Sequence, residues 1–196
     1  MGDIKFIPVR AARSIRIYVK PFGGVVVKYP ARSSLSKAKN FLRTKHTWIK
    51  QARQRAQETE RKSLAHHAQV PVIGKSEIRK ELTNRLEALA EQYGFKYGKI
   101  SLRNQSSRWG SCSAQNNISL NQKLFYVPDH LRDYVLVHEL AHTQQKNHSA
   151  SFWKIVFDIF GEQSTKQMRA ELKNYDYLFY PPPPEMMGRS RFANKP

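Results

Sequence analysis

The sequence predicts an α+β fold, with strands and helices in separate runs. Three observations carry this. Alternating strands with a glycine turn open the chain. Apolar stripes at helical spacing fill much of the remainder. A cluster of short strands lies between two of those helices.

The opening strands come first. "SIRIYVK" alternates Ile15, Ile17 and Val19 with Arg16, Tyr18 and Lys20, the period of a half-buried strand. "PFGGVVVKYP" adds a Gly-Gly turn and a second strand, Val25 to Lys28, closed by Pro30. A hairpin is expected within residues 4–29. From Ser34 to Arg61, Leu35, Ala38, Phe41, Leu42, Trp48, Ile49 and Ala52 recur near helical spacing, with Lys and Arg between. The polar end of that helix, "KQARQRAQETERK", is expected to project into solvent. "SLAHHAQVPVIGKS" has no sustained period and reads as a connector with a short strand at "VPVI".

A second helix follows over Ser76 to Tyr93. Ile78, Leu82, Leu86, Leu89 and Ala90 form its stripe, and Gly94 stands where a helix-ending glycine belongs. "KYGKISLRN", "RWGSCS" and "NNISLNQKLFYV" read as short strands. Pro128 and Asp129 announce the next helix, with Asp129 as its N-cap. Further helices are expected from Ser149 and over Thr165 to Lys173. The tail "YPPPPEMMGRSRFANKP" is proline-rich and basic and reads as lacking a packed structure. The expected organisation is 1–74, hairpin and basic helix; 75–180, catalytic domain; and 181–196, flexible tail.

Composition narrows the functional classes. No apolar run approaches the roughly 18 residues that span a bilayer. The N-terminal segment is charged throughout and has no signal-peptide apolar core. One cysteine, Cys112, excludes an internal disulfide framework. These features predict a cytoplasmic protein with no membrane partner. The 34 Lys+Arg against 15 Asp+Glu leave a net charge of +19, which favours polyanions and suggests non-specific nucleic-acid binding through the basic surface.

The chemistry concentrates in "VLVHELAHTQQKNHSASFW". On a helix His138 and His142 lie on one face, one turn apart, so both imidazoles can converge on one ion. Glu139 lies about 100° further round and can approach a water at that ion without ligating it. That is the content of H-E-x-x-H: two zinc ligands and a general base. His148, six residues past His142, is the candidate third ligand. Reaching it requires a turn, for which Asn147 offers the left-handed conformation. In the long metalloprotease signature a glycine stands where this chain has Gln145, so the turn must be built otherwise. The cofactor expected is one Zn²⁺ ion, although such a site can take other divalent metals. His46, His66 and His67 are expected to be solvated, and His130, at a helix start, to do no chemistry.

"SSRWGSCS" is the second informative segment. Arg108 can hold a substrate carboxylate or phosphate, or pair with an acidic residue. Gly110 can let a substrate backbone approach the strand. Cys112 reads as a small buried residue rather than a fourth ligand or a nucleophile, because a fourth protein ligand would close the site to water.

Taken together, "SRWGSCS", "NNISLNQKLFYVP" and "VLVHELAHTQQKNHSASFW" resemble the YgjP-like family of metal-dependent hydrolases, relatives of the SprT and WLM metalloproteases. The N-terminal hairpin and "FLRTKHTWI" follow the same layout. The resemblance implies a zincin-like domain, with the metal helix beside a small mixed sheet. It implies zinc on His138, His142 and His148 and a base role for Glu139. It also places Arg108, Trp109, Gly110, Ser111 and Cys112 near substrate. A hydrolase is implied and its substrate left open, peptide or nucleotide. The readings are a metallopeptidase, a nucleoside-triphosphate pyrophosphatase, and a nucleic-acid-associated module with a structural metal.

Overall fold

A computed structural model describes residues 4–71, 73–183 and 186. The chain divides into two compact units, Met1–Val70 with Tyr180–Pro196, and Pro71–Phe179.

The first unit carries strands β1 (Ile4–Val9), β2 (Arg16–Lys20) and β3 (Gly24–Pro30), in the order β1-β3-β2. β2 and β3 form the expected antiparallel hairpin, and β1 joins β3 in parallel. Val25, Val27 and Tyr29 are buried on one face of β3. They pack with Ala38 of helix α1 (Leu35–Thr44), and Phe6, Ile15, Ile17 and Leu42 complete a small core. Ser34 caps α1, its hydroxyl accepting from the Lys37 amide at 3.2 Å.

Helix α2 (His46–Gln69) begins after a break at Lys45. It therefore runs well past Arg61, through most of the segment read as a connector. The sequence signal failed because the helix buries so little: Ile49, Ala56 and Ser63 are its buried residues. Ser63 is fully buried because its hydroxyl donates to the Tyr180 carbonyl at 2.7 Å, a partner 117 residues away. His66 and His67 are half-buried on this helix rather than solvated. Pro71 and Ile73 lie in no strand, and residue 72 of "VPVI" lies outside the described residues. So does the tail, apart from 181–183 and 186.

The second unit opens with α3 (Lys75–Tyr93), which ends as expected at Gly94 in the left-handed conformation, φ 72°. Its stripe of Ile78, Leu82, Leu86, Leu89 and Ala90 is buried against α4 (Asp129–Ala141). Strands β4 (Ile100–Arg103), β5 (Gly110–Cys112) and β6 (Ile118–Asn121) form a mixed sheet in the order β4-β6-β5. β4 pairs in parallel and β5 antiparallel to β6. A 3-10 turn, Gln122–Tyr126, follows where strand was expected. The N-cap of α4 is Pro128, not Asp129, and no side chain bonds to its amides. Asp129 instead lies 3.1 Å from Arg132. Helices α5 (Ala150–Phe160) and α6 (Glu162–Leu172) close the unit, α6 starting three residues before the expected Thr165. The expected α+β arrangement, a metal-motif helix beside a small mixed sheet, is the one observed.

The entry to α4 is fixed by Arg132, whose side chain is 11% exposed. Its guanidinium donates to the carbonyls of Leu124 and Phe125 at 3.2 and 3.1 Å and to Glu81 at 2.5 Å. Hydrogen bonds from a charged donor contribute more than neutral ones. Arg132→Met should therefore lower stability by about 2–3 kcal/mol in denaturant unfolding, where an ordinary surface arginine would change it by under about 0.5 kcal/mol.

Candidate metal centre

Helix α4 is apolar around most of its circumference. Leu131, Leu136, Val137, Leu140 and Ala141 are wholly excluded from solvent. His138 stands in its last turn and His142 is its C-cap. Their ring centres are 4.9 Å apart. His148 returns to within 5.0 Å of the first ring and 4.7 Å of the second. One ligand atom from each of the three lies within 4.8 Å of the others, and the Nε2 atoms of His138 and His148 are 3.0 Å apart.

The turn that achieves this needs no left-handed residue. Phe22 and Asn116 are the non-glycine residues with positive φ among those described, so Asn147 does not take the conformation expected of it. Instead the helix tightens. The amides of Thr143, Gln144 and Gln145 bond back to Leu140 and Ala141 at 2.9–3.1 Å, and the Thr143 hydroxyl bonds to the Leu140 carbonyl at 2.7 Å. Gln145, at the position of the absent glycine, uses only its backbone. Its carbonyl accepts from Nδ1 of His142 at 2.9 Å. That bond fixes the tautomer and leaves Nε2 of His142 to face the other two rings.

Two further devices hold the loop. Lys146 donates to the Ser113 carbonyl at 2.8 Å and to Asn116, tying the turn to the β5–β6 connection. Ser149 caps α5, accepting from the Phe152 amide, and so sets Phe152 on the first helical turn. Phe152 is fully buried, and its ring lies 4.9, 4.4 and 4.8 Å from those of His138, His142 and His148. It is the common backing for all three. Trp153 stacks on His148 at 5.6 Å, and the Arg169 guanidinium lies 4.6 Å over Trp153.

Burial pushes His138 down to about 3, with His142, His148 and Arg169 adding repulsion. His142 is lowered for the same leading reason. Both are thus neutral, the form that ligates a metal. Three imidazole nitrogens with no carboxylate among them are a donor set suited to zinc. Nδ1 of His138 is buried with no hydrogen-bond partner among the described residues, so packing against Phe152 and Tyr134 holds that ring.

Glu139 is 6% exposed and stands outside the donor cluster. Burial raises its carboxyl to about 7, opposed by Arg108. Its side chain lies along Gly110. A Cβ there would come within 2.7 Å of Cγ and 2.8 Å of Oε1. Glu139 thus occupies the space that a side chain at residue 110 would need.

A cavity of about 310 Å³ adjoins the cluster, lined by Arg108, Trp109, Gly110, Tyr134, His138 and Glu139 among others. Trp109 rests on Phe179 at 4.5 Å. Ser111 and Cys112 do not line this cavity; Ser111 pairs with Ser119 in the sheet. The Cys112 thiol is raised by burial and lies 3.6 Å from the Lys146 ammonium. It is half-buried and outside the donor cluster. His130 contacts Glu171 at 3.1 Å, away from the site.

Sequence reasoning passed over Asn121, Lys146, Phe152 and Arg169. Asn121 is fully buried and its amide donates to the carbonyls of Gln105 and Arg108 at 2.9 and 2.8 Å, fixing the loop that carries Arg108. A helix start at Ser149 with "FW" on its first turn was the readable sign of Phe152.

The YgjP-like, metallopeptidase domain family matches residues 13–77 and 72–175, most of the chain. The chain belongs to the YgjP-like metallopeptidase family. This YgjP-like chain also resembles two solved structures at a TM-score of 0.44 each. One is the metallopeptidase zymogen of Pyrococcus abyssi abylysin, 24% identical, with 47% of this chain and 92% of that one covered. The other is the zymogen of Methanocaldococcus jannaschii jannalysin, 16% identical, with 47% and 94% covered. No curated protein matches. No described helix is long and apolar enough to cross a membrane.

Gly110→Ala forces Glu139 aside without touching the imidazoles. It should leave metal content unchanged by elemental analysis and lower catalytic turnover at least about tenfold, with a stability cost of about 1–3 kcal/mol from overpacking. Phe152→Ala should cost about 3–5 kcal/mol and weaken metal binding as well.

Proposed function

We propose that the cluster is the centre of a zinc-dependent peptidase with Glu139 as its general base. The observation that supports this most is the separation of roles in space. Three imidazoles converge, and one carboxylate stands beside them, buried, outside the donor set and on the wall of a cavity. Bound there, zinc supplies Lewis acidity toward water and toward a substrate oxygen. The protein supplies the rest. Glu139 takes a proton from the water that attacks the peptide carbonyl carbon. It passes that proton to the amide nitrogen as the carbon–nitrogen bond breaks. Tyr134 lines the same cavity, and burial pushes its hydroxyl up to about 12, so it stays protonated and can donate to the developing oxyanion. Arg108 lines the same cavity, which supports a part for it in holding a substrate carboxylate or sharing the oxyanion role.

A nucleotide pyrophosphatase is the competing reading, favoured by the two arginines, Arg108 and Arg169, that line the cavity. The donor set speaks against it, since the magnesium that serves such chemistry prefers carboxylate and water oxygens. The buried Glu139 speaks against a purely structural metal, because burying a carboxylate is costly without a use or partner.

Glu139→Gln should retain zinc and lose at least about 1,000-fold in turnover on a casein-type peptide substrate; near-normal turnover would exclude the base role. His142→Ala should lose the metal. Cleavage of UTP with no cleavage of peptide would move the assignment to the pyrophosphatase.

A further inference from the structure

The chain's positive charge is unevenly placed. Fourteen of the 34 Lys+Arg lie between Asp3 and Glu58, a span with no acidic residue at all. The first carboxylates after it are engaged. Glu58 bonds to Arg61, and Glu60 accepts from the Phe22 amide at 2.7 Å.

The β1-β3-β2 sheet shows what this does locally. Its inner face carries Val25, Val27 and Tyr29 and is covered by α1 and α2. The strand register sets the outer face. One row reads Lys5, Val26, Tyr18 across the three strands; the next reads Ile7, Lys28, Arg16; Lys20 stands opposite Gly24. Lys5, Ile7, Arg16, Lys20 and Lys28 are all exposed, and Ile7 is 40% exposed. Tyr18 and Val26 are half-buried.

Arg16 and Lys28 are direct cross-strand partners. Like charges directly opposite one another destabilise a sheet, and no carboxylate lies within the span to offset them. Lys28 turns over the Tyr18 ring, its ammonium 5.4 Å from the centroid. The face is thus built against its own stability, the mark of a surface fitted to a ligand that supplies the missing negative charge.

We propose that this outer sheet face binds single-stranded nucleic acid, with phosphates on Lys5, Arg16, Lys20 and Lys28 and a base stacked on Tyr18. A row of cations alone would suit any polyanion. The aromatic ring of Tyr18 and the apolar Val26 and Ile7 set among them select unpaired bases. A duplex offers phosphates but keeps its bases stacked inside, and would leave those three side chains unused.

The test uses the full chain and a fluorescein-labelled oligothymidylate, followed by fluorescence anisotropy. About four phosphate contacts predict a log–log salt slope near −2.8, so affinity should fall roughly 50-fold between about 50 and about 200 mM salt. Lys28→Glu replaces the like-charged pair with an opposite one. It should raise the melting temperature yet weaken binding at least about tenfold, opposite signs that a merely structural role would not produce. Tyr18→Ala should weaken binding at least about fivefold. Lys96→Glu makes the same charge change in the second unit and should do neither. No binding at low salt would overturn the proposal, as would equal losses in Lys28→Glu and Lys96→Glu. Tighter binding of duplex DNA or anionic vesicles, with Tyr18→Ala without effect, would replace it with general polyanion adhesion.

Discussion

The contact between Glu139 and the backbone of Gly110 is the constraint on which the second unit turns. It sets how closely α4 may approach β5, because a single methyl at residue 110 would collide with the carboxylate. It buries the one acid of the cavity wall beside the first histidine. It also requires the strand and the helix to be held independently, since neither can shift without exposing or crushing that side chain. Asn121 holds the strand side through the Gln105 and Arg108 carbonyls, and Arg132 holds the helix side through the carbonyls that precede it.

The three imidazoles obey a related logic. Burying polar rings is costly unless something uses their lone pairs. Two of them are kept neutral by burial, and Phe152 backs all three at contact distance. Packing sets the positions of the rings, and the Gln145 carbonyl sets the tautomer of one of them. A metal ion then needs little rearrangement to bind, which is what preorganisation of a site means in structural terms. The first unit shows the opposite economy. Its outer sheet face accumulates cations and an unfavourable cross-strand pair, in a span from residue 4 to 57 that holds no carboxylate.

How much of this the sequence disclosed depends on range. His138, Glu139 and His142 were legible because one helical turn brings them together. The hairpin, the Gly94 stop and the helix start at Ser149 were legible because each is a property of a few adjacent residues. The length of α2 was not, because Ser63 is buried by a carbonyl 117 residues away. The cap at Asp129 was misread because Pro128 already starts the helix and Arg132 takes the carboxylate. The third histidine was found, but the turn that brings it back was not, because backbone bonds made by Thr143 to Gln145 replace the left-handed residue that spacing suggested. Lys146 and Asn121 stayed hidden for a plainer reason. Their partners lie 33 and 13 to 16 residues away, and only the folded chain brings them together.

The central claim is that His138, His142 and His148 hold one metal ion, with Glu139 and Cys112 beside it and not on it. X-ray absorption at the zinc edge of the loaded protein measures this directly. The account predicts three imidazole nitrogens at about 2.0–2.1 Å, one further ligand that is oxygen, and no sulfur. A sulfur shell at about 2.3 Å, or fewer than three imidazoles, would contradict it.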